Sequence, residues 1–193
     1  MSAQVPSSDD TGPRAVGAPA HDKLDDKAFD ELFRESAADV HAYAISLLGN
    51  RAAAEDVTAL AFERLYRARA RLDHGRGAPR AWLFAIARNA ALDELRRRRR
   101  QPQSELPEEM ADVQGSAEAF ERIVRRASVR DALAALPLRE REVVLLKFHG
   151  QLSNSELARA LDVSESNAGT RLHRALTRLR EECNGLEREE EIA

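Results

Sequence analysis

From Asp25 onward, apolar residues return at intervals of three, four and seven, which is the signature of amphipathic helices. Phe29, Leu32, Phe33, Val40, Tyr43, Ala44, Leu47 and Leu48 form the buried stripe of a first helix, with Asp25 as N-cap and Gly49 as terminator. Val57, Leu60, Ala61, Leu65 and Ala68 define the inward face of a second helix over about 51–72. The stretch Asp73-His74-Gly75-Arg76-Gly77 reads as a loop. Pro79 suits the first turn of a third helix that carries Trp82, Leu83, Ile86, Ala90 and Leu95 into an arginine run. The pattern stops at Pro102 and resumes at Phe120, Ile123, Val124, Ala127, Leu133 and Leu136. Pro137 opens a further helix with Val143, Val144, Leu145, Leu146 and Phe148, closed at Gly150.

The sharpest local signal follows. In Leu152-Ser153-Asn154-Ser155-Glu156-Leu157, Ser153 and Glu156 have capping-box spacing, and Leu152 and Leu157 are placed as its hydrophobic staple. That short helix ends near Leu161, Asp162-Val163-Ser164 makes a tight turn, and Ser164 caps the next helix. Ala168, Leu172, Ala175, Leu176 and Leu179 then face inward, while Arg171, Arg174 and Arg178 project from another face. Two short helices, a three-residue turn and a basic outer face together have helix-turn-helix geometry, in which the second helix enters the major groove. The ordinary alternative is a solvated helix of a generic bundle, and it leaves the coincidence of cap, turn and arginine stripe unexplained.

Composition agrees with the periodicity. Ala (34) and Leu (23) dominate, whereas Val, Ile and Thr together number 18, too few β-branched residues for a sheet protein. The expected fold is all-α: two small helical domains joined by a flexible acidic linker, the second a winged-helix-like four-helix domain with the helix-turn-helix. Boundaries fall at a disordered leader (1–24), a first domain (25–100), the linker (101–116), a second domain (117–183) and an acidic tail (184–193). The single Cys183 excludes an internal disulfide and a cysteine zinc cluster, and no His pair is spaced for one helical face. No metal, cofactor or catalytic residue is assigned: convergent carboxylates, a phosphate-binding glycine loop and a nucleophile motif are all missing, so the chain does not read as an enzyme. No apolar run reaches a membrane span and no secretory signal is present, so a soluble, cytoplasmic protein is expected.

Net charge is misleading here. The formal total is −3, yet from Phe62 to Arg100 twelve Arg face four acids, a local charge of +8. Arg96 to Arg100 meet the negative end of their helix dipole, which is their ordinary structural role. The same helix also carries Arg88, Asn89, Trp82 and Phe84, and arginines with aromatics suit phosphates and exposed bases. Trp82 taken alone reads as core before it reads as a stacking platform. Most of the compensating acid lies in the leader, the linker and the tail, so the distribution of charge favours nucleic acid where the sum does not.

These residues resemble a known family. Ala54-Glu55-Asp56-Val57 through Phe62-Glu63-Arg64-Leu65-Tyr66, then Arg80-Ala81-Trp82-Leu83-Phe84-Ala85-Ile86-Ala87-Arg88-Asn89 and Asp93-Glu94-Leu95-Arg96-Arg97, resemble region 2 of bacterial sigma factors. Leu133-Ala134-Ala135-Leu136-Pro137, Arg139-Glu140-Arg141-Glu142-Val143 and Arg171-Leu172-His173-Arg174-Ala175 are similar to region 4. The match is to the small extracytoplasmic-function (ECF) type and covers about residues 25–183. The resemblance implies binding to core RNA polymerase, at the beta-prime clamp and the beta subunit, with Asp56, Phe62 and Arg64 in the clamp-binding motif. It implies recognition and melting of a −10 element by Asp73, His74, Arg76, Arg80, Trp82, Arg88, Asn89, Arg96 and Arg97. It implies contact with a −35 element by Ser166, Asn167, Thr170, Arg171 and Arg174, beside Arg178 of the same stripe. It implies a linker threaded toward the polymerase active-site channel and an anti-sigma protein as a further partner. The chain departs from the family at Ala59-Leu60, where a polar pair is frequent, and at Gly169, where a basic residue is common. The alternative function is a polymerase-independent helix-turn-helix regulator.

Overall fold

The computed structural model describes residues 24–71, 78–100, 127 and 129–192, and helices account for nearly all of them. Helix α1 (Asp26–Leu48) starts where the Asp25 carboxylate accepts the Ala28 amide at 2.7 Å. It ends at Gly49, whose φ of 64° is a left-handed turn that glycine enters without a Cβ penalty. Helix α2 (Arg51–Ala68) is capped by Asn50, which accepts the Ala53 amide at 2.8 Å. It then tightens into a 3-10 turn at Arg69–Arg71, so that α2 itself ends four residues before the position, about 72, where the apolar pattern places its end. Helix α3 (Pro79–Arg100) completes the first unit, in which each helix touches the other two.

The second unit comprises α4 (residues 129–135), α5 (Leu138–Phe148), α6 (Asn154–Leu161) and α7 (Glu165–Ile192). Between α4 and α5, the Arg141 guanidinium donates to the carbonyls of Ala134 and Leu136 and so satisfies the end of α4. The backbone of α7 stays helical through the residues expected as a tail, because Glu and Arg are good helix formers.

The two units are not independent bodies. Helix α5 has two apolar faces. Val144 packs with Leu136 of the preceding turn and Ala175, Leu176 and Leu179 of α7 in a small cluster of the second unit. Leu145 and Leu146 join Leu152 and Leu157 in a larger core continuous with Val40, Tyr43, Leu83 and Phe84 of the first unit. Burying both faces removes more apolar surface from water than two separate small bundles would, a real gain for domains of this size. Leu24, read as part of the leader, is buried in that core too. The expected leader up to residue 23, the linker and the 72–77 loop lie outside the described residues. No described helix is long and apolar enough to cross a membrane.

Candidate nucleic-acid interface

The helix-turn-helix forms as its sequence dictates. Ser153 Oγ accepts the Glu156 amide at 3.3 Å, and Glu156 Oε2 accepts the Ser153 amide at 2.9 Å. Burial is the largest influence on the Glu156 carboxyl and pushes it up; the Ser153 hydroxyl and amide, with the Arg159 charge and the Ala78 backbone, together outweigh it and hold the group below its ordinary value. Asp162 takes the left-handed conformation (φ 55°) that ends α6, and Ser164 accepts the Asn167 amide at 3.3 Å to start α7. Leu157 and Ala168 are fully buried, which fixes the two helices against the core.

That packing leaves Ser166, Asn167, Thr170, Arg171 and Arg174 exposed on α7. Arg171 Nε donates to Asn167 Oδ1 at 2.9 Å, and Thr170 Oγ1 donates to the Ser166 carbonyl at 2.9 Å. Two base-reading side-chain types are thereby pre-oriented on one face. Arg178 departs from the expected stripe: its guanidinium donates to both oxygens of Glu140 on α5, at 3.0 and 2.9 Å.

The arginines of α3 divide in two. Near its start, Arg80 uses all three guanidinium nitrogens. Nη1 donates to Ser36 Oγ (2.9 Å), Nη2 to Asp39 Oδ2 (2.6 Å) and the His149 carbonyl (2.8 Å), and Nε to the Gly150 carbonyl (2.9 Å). A cation from the first unit thus caps the C-terminal end of α5, where the helix dipole is negative. Two turns on, Arg88 forms an ion pair with Glu142 of α5, the side chains only 19% and 5% exposed. Toward the C-terminus the cations are accessible. Arg96 pairs with Asp93 at 2.9 Å, and Glu94 holds Arg97 at 2.7 Å and Arg98 at 2.8 Å. The hydrogen bond from Arg97 keeps the Glu94 carboxyl below its usual range against a smaller push from burial. Asn89 is exposed, whereas Trp82 is half-buried and packs on the core. Asp73, His74 and Arg76 lie outside the described residues.

The third group sits on α2. Exposed Asp56 and Arg64 flank a hollow of about 200 Å³ between α2 and α3, with half-buried Leu60 in its lining. Phe62 is buried, edge-on to Phe29 (6.2 Å) and Phe33 (4.7 Å). The aromatics that reach solvent here are Phe33 and Tyr66; Phe33, expected in the buried stripe of α1, is instead 47% exposed, because it lies over Phe62 at the outer edge of the α1–α2 cluster that the i, i+4 spacings to Phe29 and Phe62 predict.

Glu142 is the main residue missed. Its signal was available: Leu138, Glu142, Leu145 and His149 share one helical stripe, and a carboxylate amid such a stripe needs a cationic partner. With that stripe against α3, a cleft of about 550 Å³ lies between the units, lined by Arg88, Arg96, Arg99, Arg139, Arg171 and Glu142 among others.

Comparisons with known proteins agree with this architecture. Residues 32–101 match the family described as Sigma-70 region 2, and residues 126–179 match Sigma-70, region 4. The ECF RNA polymerase sigma factor SigL of Mycobacterium tuberculosis is 32% identical over 155 residues, 77% of this chain and 85% of that protein. RNA polymerase sigma factor CarQ of Myxococcus xanthus is 33% identical over 163 residues, covering 84% and 92%. Among solved structures, the sigma factor RpoE from Bartonella quintana, crystallised with the anti-sigma factor NepR, superposes with a TM-score of 0.65. It is 22% identical, covers 82% of this chain and 98% of that one, and speaks to the fold alone.

Proposed function

This chain belongs to the ECF sigma factors of bacterial RNA polymerase, and on that premise we propose how its helices divide the work of promoter-directed initiation. Sigma factors are regulatory DNA-binding proteins; this one binds core polymerase and directs promoter-specific transcription. The region 2 unit (25–100) takes core polymerase on α2, through Asp56, Arg64 and the aromatic cluster around Phe62. Its α3 face, with Arg88, Asn89, Arg96, Arg97 and the 73–77 loop, takes the −10 element. Removing a base from the stack costs a few kcal/mol, which contacts along that cationic helix offset. The region 4 unit (117–183) reads the −35 element with Ser166, Asn167, Thr170, Arg171 and Arg174. The acidic linker (101–116) approaches the active-site channel as a nucleic-acid-like anion, and an anti-sigma protein is the expected negative regulator.

One observation carries this reading: the exposed polar face of α7 on a capped helix-turn-helix, in the same chain as a helix that ends in five arginines. A polymerase-independent regulator has use for the first feature and none for the second. Run-off transcription with purified core enzyme on a genomic promoter library tests it. Promoter-dependent products are expected, with Arg174→Ala lowering −35-dependent output about tenfold or more. Lack of any such product, together with tight duplex binding by the chain alone, would replace it with the polymerase-independent reading.

A further inference from the structure

The cleft between the two units gathers more positive charge than the fold neutralises. Five arginines line its space of about 550 Å³, against the carboxylates of Glu142 and Asp162. Glu142 is spent on Arg88, and Arg96 pairs with Asp93. The Arg171 guanidinium donates only to the neutral amide of Asn167. Arg99, near the end of α3, and Arg139, in the first turn of α5, are exposed and hold no partner among the described residues. With the pairs set aside, Arg99, Arg139 and Arg171 face one remaining carboxylate, Asp162. Helix α5 also starts here, at Leu138 and Arg139, without a side-chain cap, so the positive end of its dipole adds to the field.

The rest of the lining is apolar: Leu95, Leu161 and Val163 border the same hollow and are partly or wholly buried. Exposed arginines beside an aliphatic floor suit an anion with an organic body, because guanidinium forks bind phosphate bidentately while the body covers the aliphatic surface. Size separates the two sources of phosphate. A space of about 550 Å³ is that of a small-ligand site, whereas a duplex with a major groove roughly 12 Å across does not enter it. We propose that this cleft binds a nucleoside polyphosphate, its phosphates bridging Arg99 of the first unit and Arg139 and Arg171 of the second, its base on Leu95 and Val163. The lining holds no aromatic ring to stack a base, so charge supplies most of the affinity and adenine and guanine are accepted alike. One consequence rests on the assignment of α3 and α7 to promoter elements. Arg96 and Arg171 cannot serve a nucleotide in the cleft and promoter DNA together, so bound nucleotide opposes DNA binding.

Calorimetric titration of the full chain with GTP, ATP, tripolyphosphate and AMP tests the site. GTP and ATP should bind saturably, one per chain, about tenfold tighter than AMP and about threefold tighter than tripolyphosphate. Arg99→Ala and Arg139→Ala disturb no contact of the fold, and each should weaken GTP binding about fivefold. Arg34→Ala, which removes the same charge from an exposed position on α1, should leave GTP affinity within about twofold. Saturating GTP should also weaken binding of a mixed-sequence duplex about fivefold in the parent, and much less in the Arg99→Ala, Arg139→Ala double variant. Failure of every anion to saturate, equal affinity for GTP and tripolyphosphate, or parental GTP affinity in both arginine variants would overturn the site. GTP binding that leaves duplex affinity unchanged would uphold the site and count against the promoter-facing roles of Arg96 and Arg171, so the two failures are distinguishable.

Discussion

Gly169 offers a quantitative probe of the DNA-facing helix. It sits in the second turn of α7, flanking the exposed face beside Ser166 and His173, and a Cβ added there meets nothing within 4 Å. Since the new methyl group would touch no neighbour, Gly169→Ala should change stability through helix propensity alone, a gain of about 1 kcal/mol. Because the two units share a core, they should unfold together, and for a body of that size the gain raises Tm by about 2–4 °C. Gly169→Arg keeps most of that gain and places a cation where the groove edge would run. One added phosphate contact steepens the dependence of log K on log salt by about 0.9, which is about a threefold greater loss of affinity between roughly 50 and 200 mM. Chemical denaturation and duplex titrations at several salt concentrations measure both effects. A destabilised Gly169→Ala would mean that glycine is required for a contact the fold does not show. An unchanged salt slope for Gly169→Arg would mean that this flank of α7 does not approach DNA.

Other consequences are simpler. Tyr43 is fully buried with no hydrogen-bond partner for its hydroxyl among the described residues, and burial, then the Glu142 charge, pushes its phenol far above its ordinary range. Tyr43→Phe should therefore raise stability by about 1 kcal/mol in urea denaturation; a loss would reveal an unseen partner. Ser153→Ala should cost about 1 kcal/mol by removing the capping box. Since the folded Glu156 carboxyl is held low, its share of stability is present above about pH 4.5 and lost as pH falls through the folded value, and Ser153→Ala should shrink that acid-dependent portion. Burial lowers the His149 pKa, with Asp39 opposing, so the unfolded chain takes up a proton first as pH drops below about 6.5. Stability should fall in that window, and a His149→Gln protein should show a flatter pH profile there.

The helices, their caps and the helix-turn-helix were legible because they depend on short-range information. Asp25, Ser153, Ser164 and Gly49 act within four residues of themselves, and apolar period reports which side of each helix must leave water. The exposed face of α7 was legible for the same reason. Which arginines are free was not. Arg80, Arg88 and Arg178 lie on helix faces where solvent or DNA was the expected neighbour, and each is instead held by groups from 38 to 70 residues away. Phe62 looked like an accessible contact and is buried beneath Phe33, because two aromatics on α1 meet it only once α1 and α2 pack. By itself, the sequence determined that this is an all-helical chain with two DNA-directed blocks, since periodicity, capping and local charge are written along one helix at a time. The tertiary structure alone decided that the blocks share a core and that Glu142 takes Arg88, because a buried charge must find its partner among whatever side chains packing brings within reach.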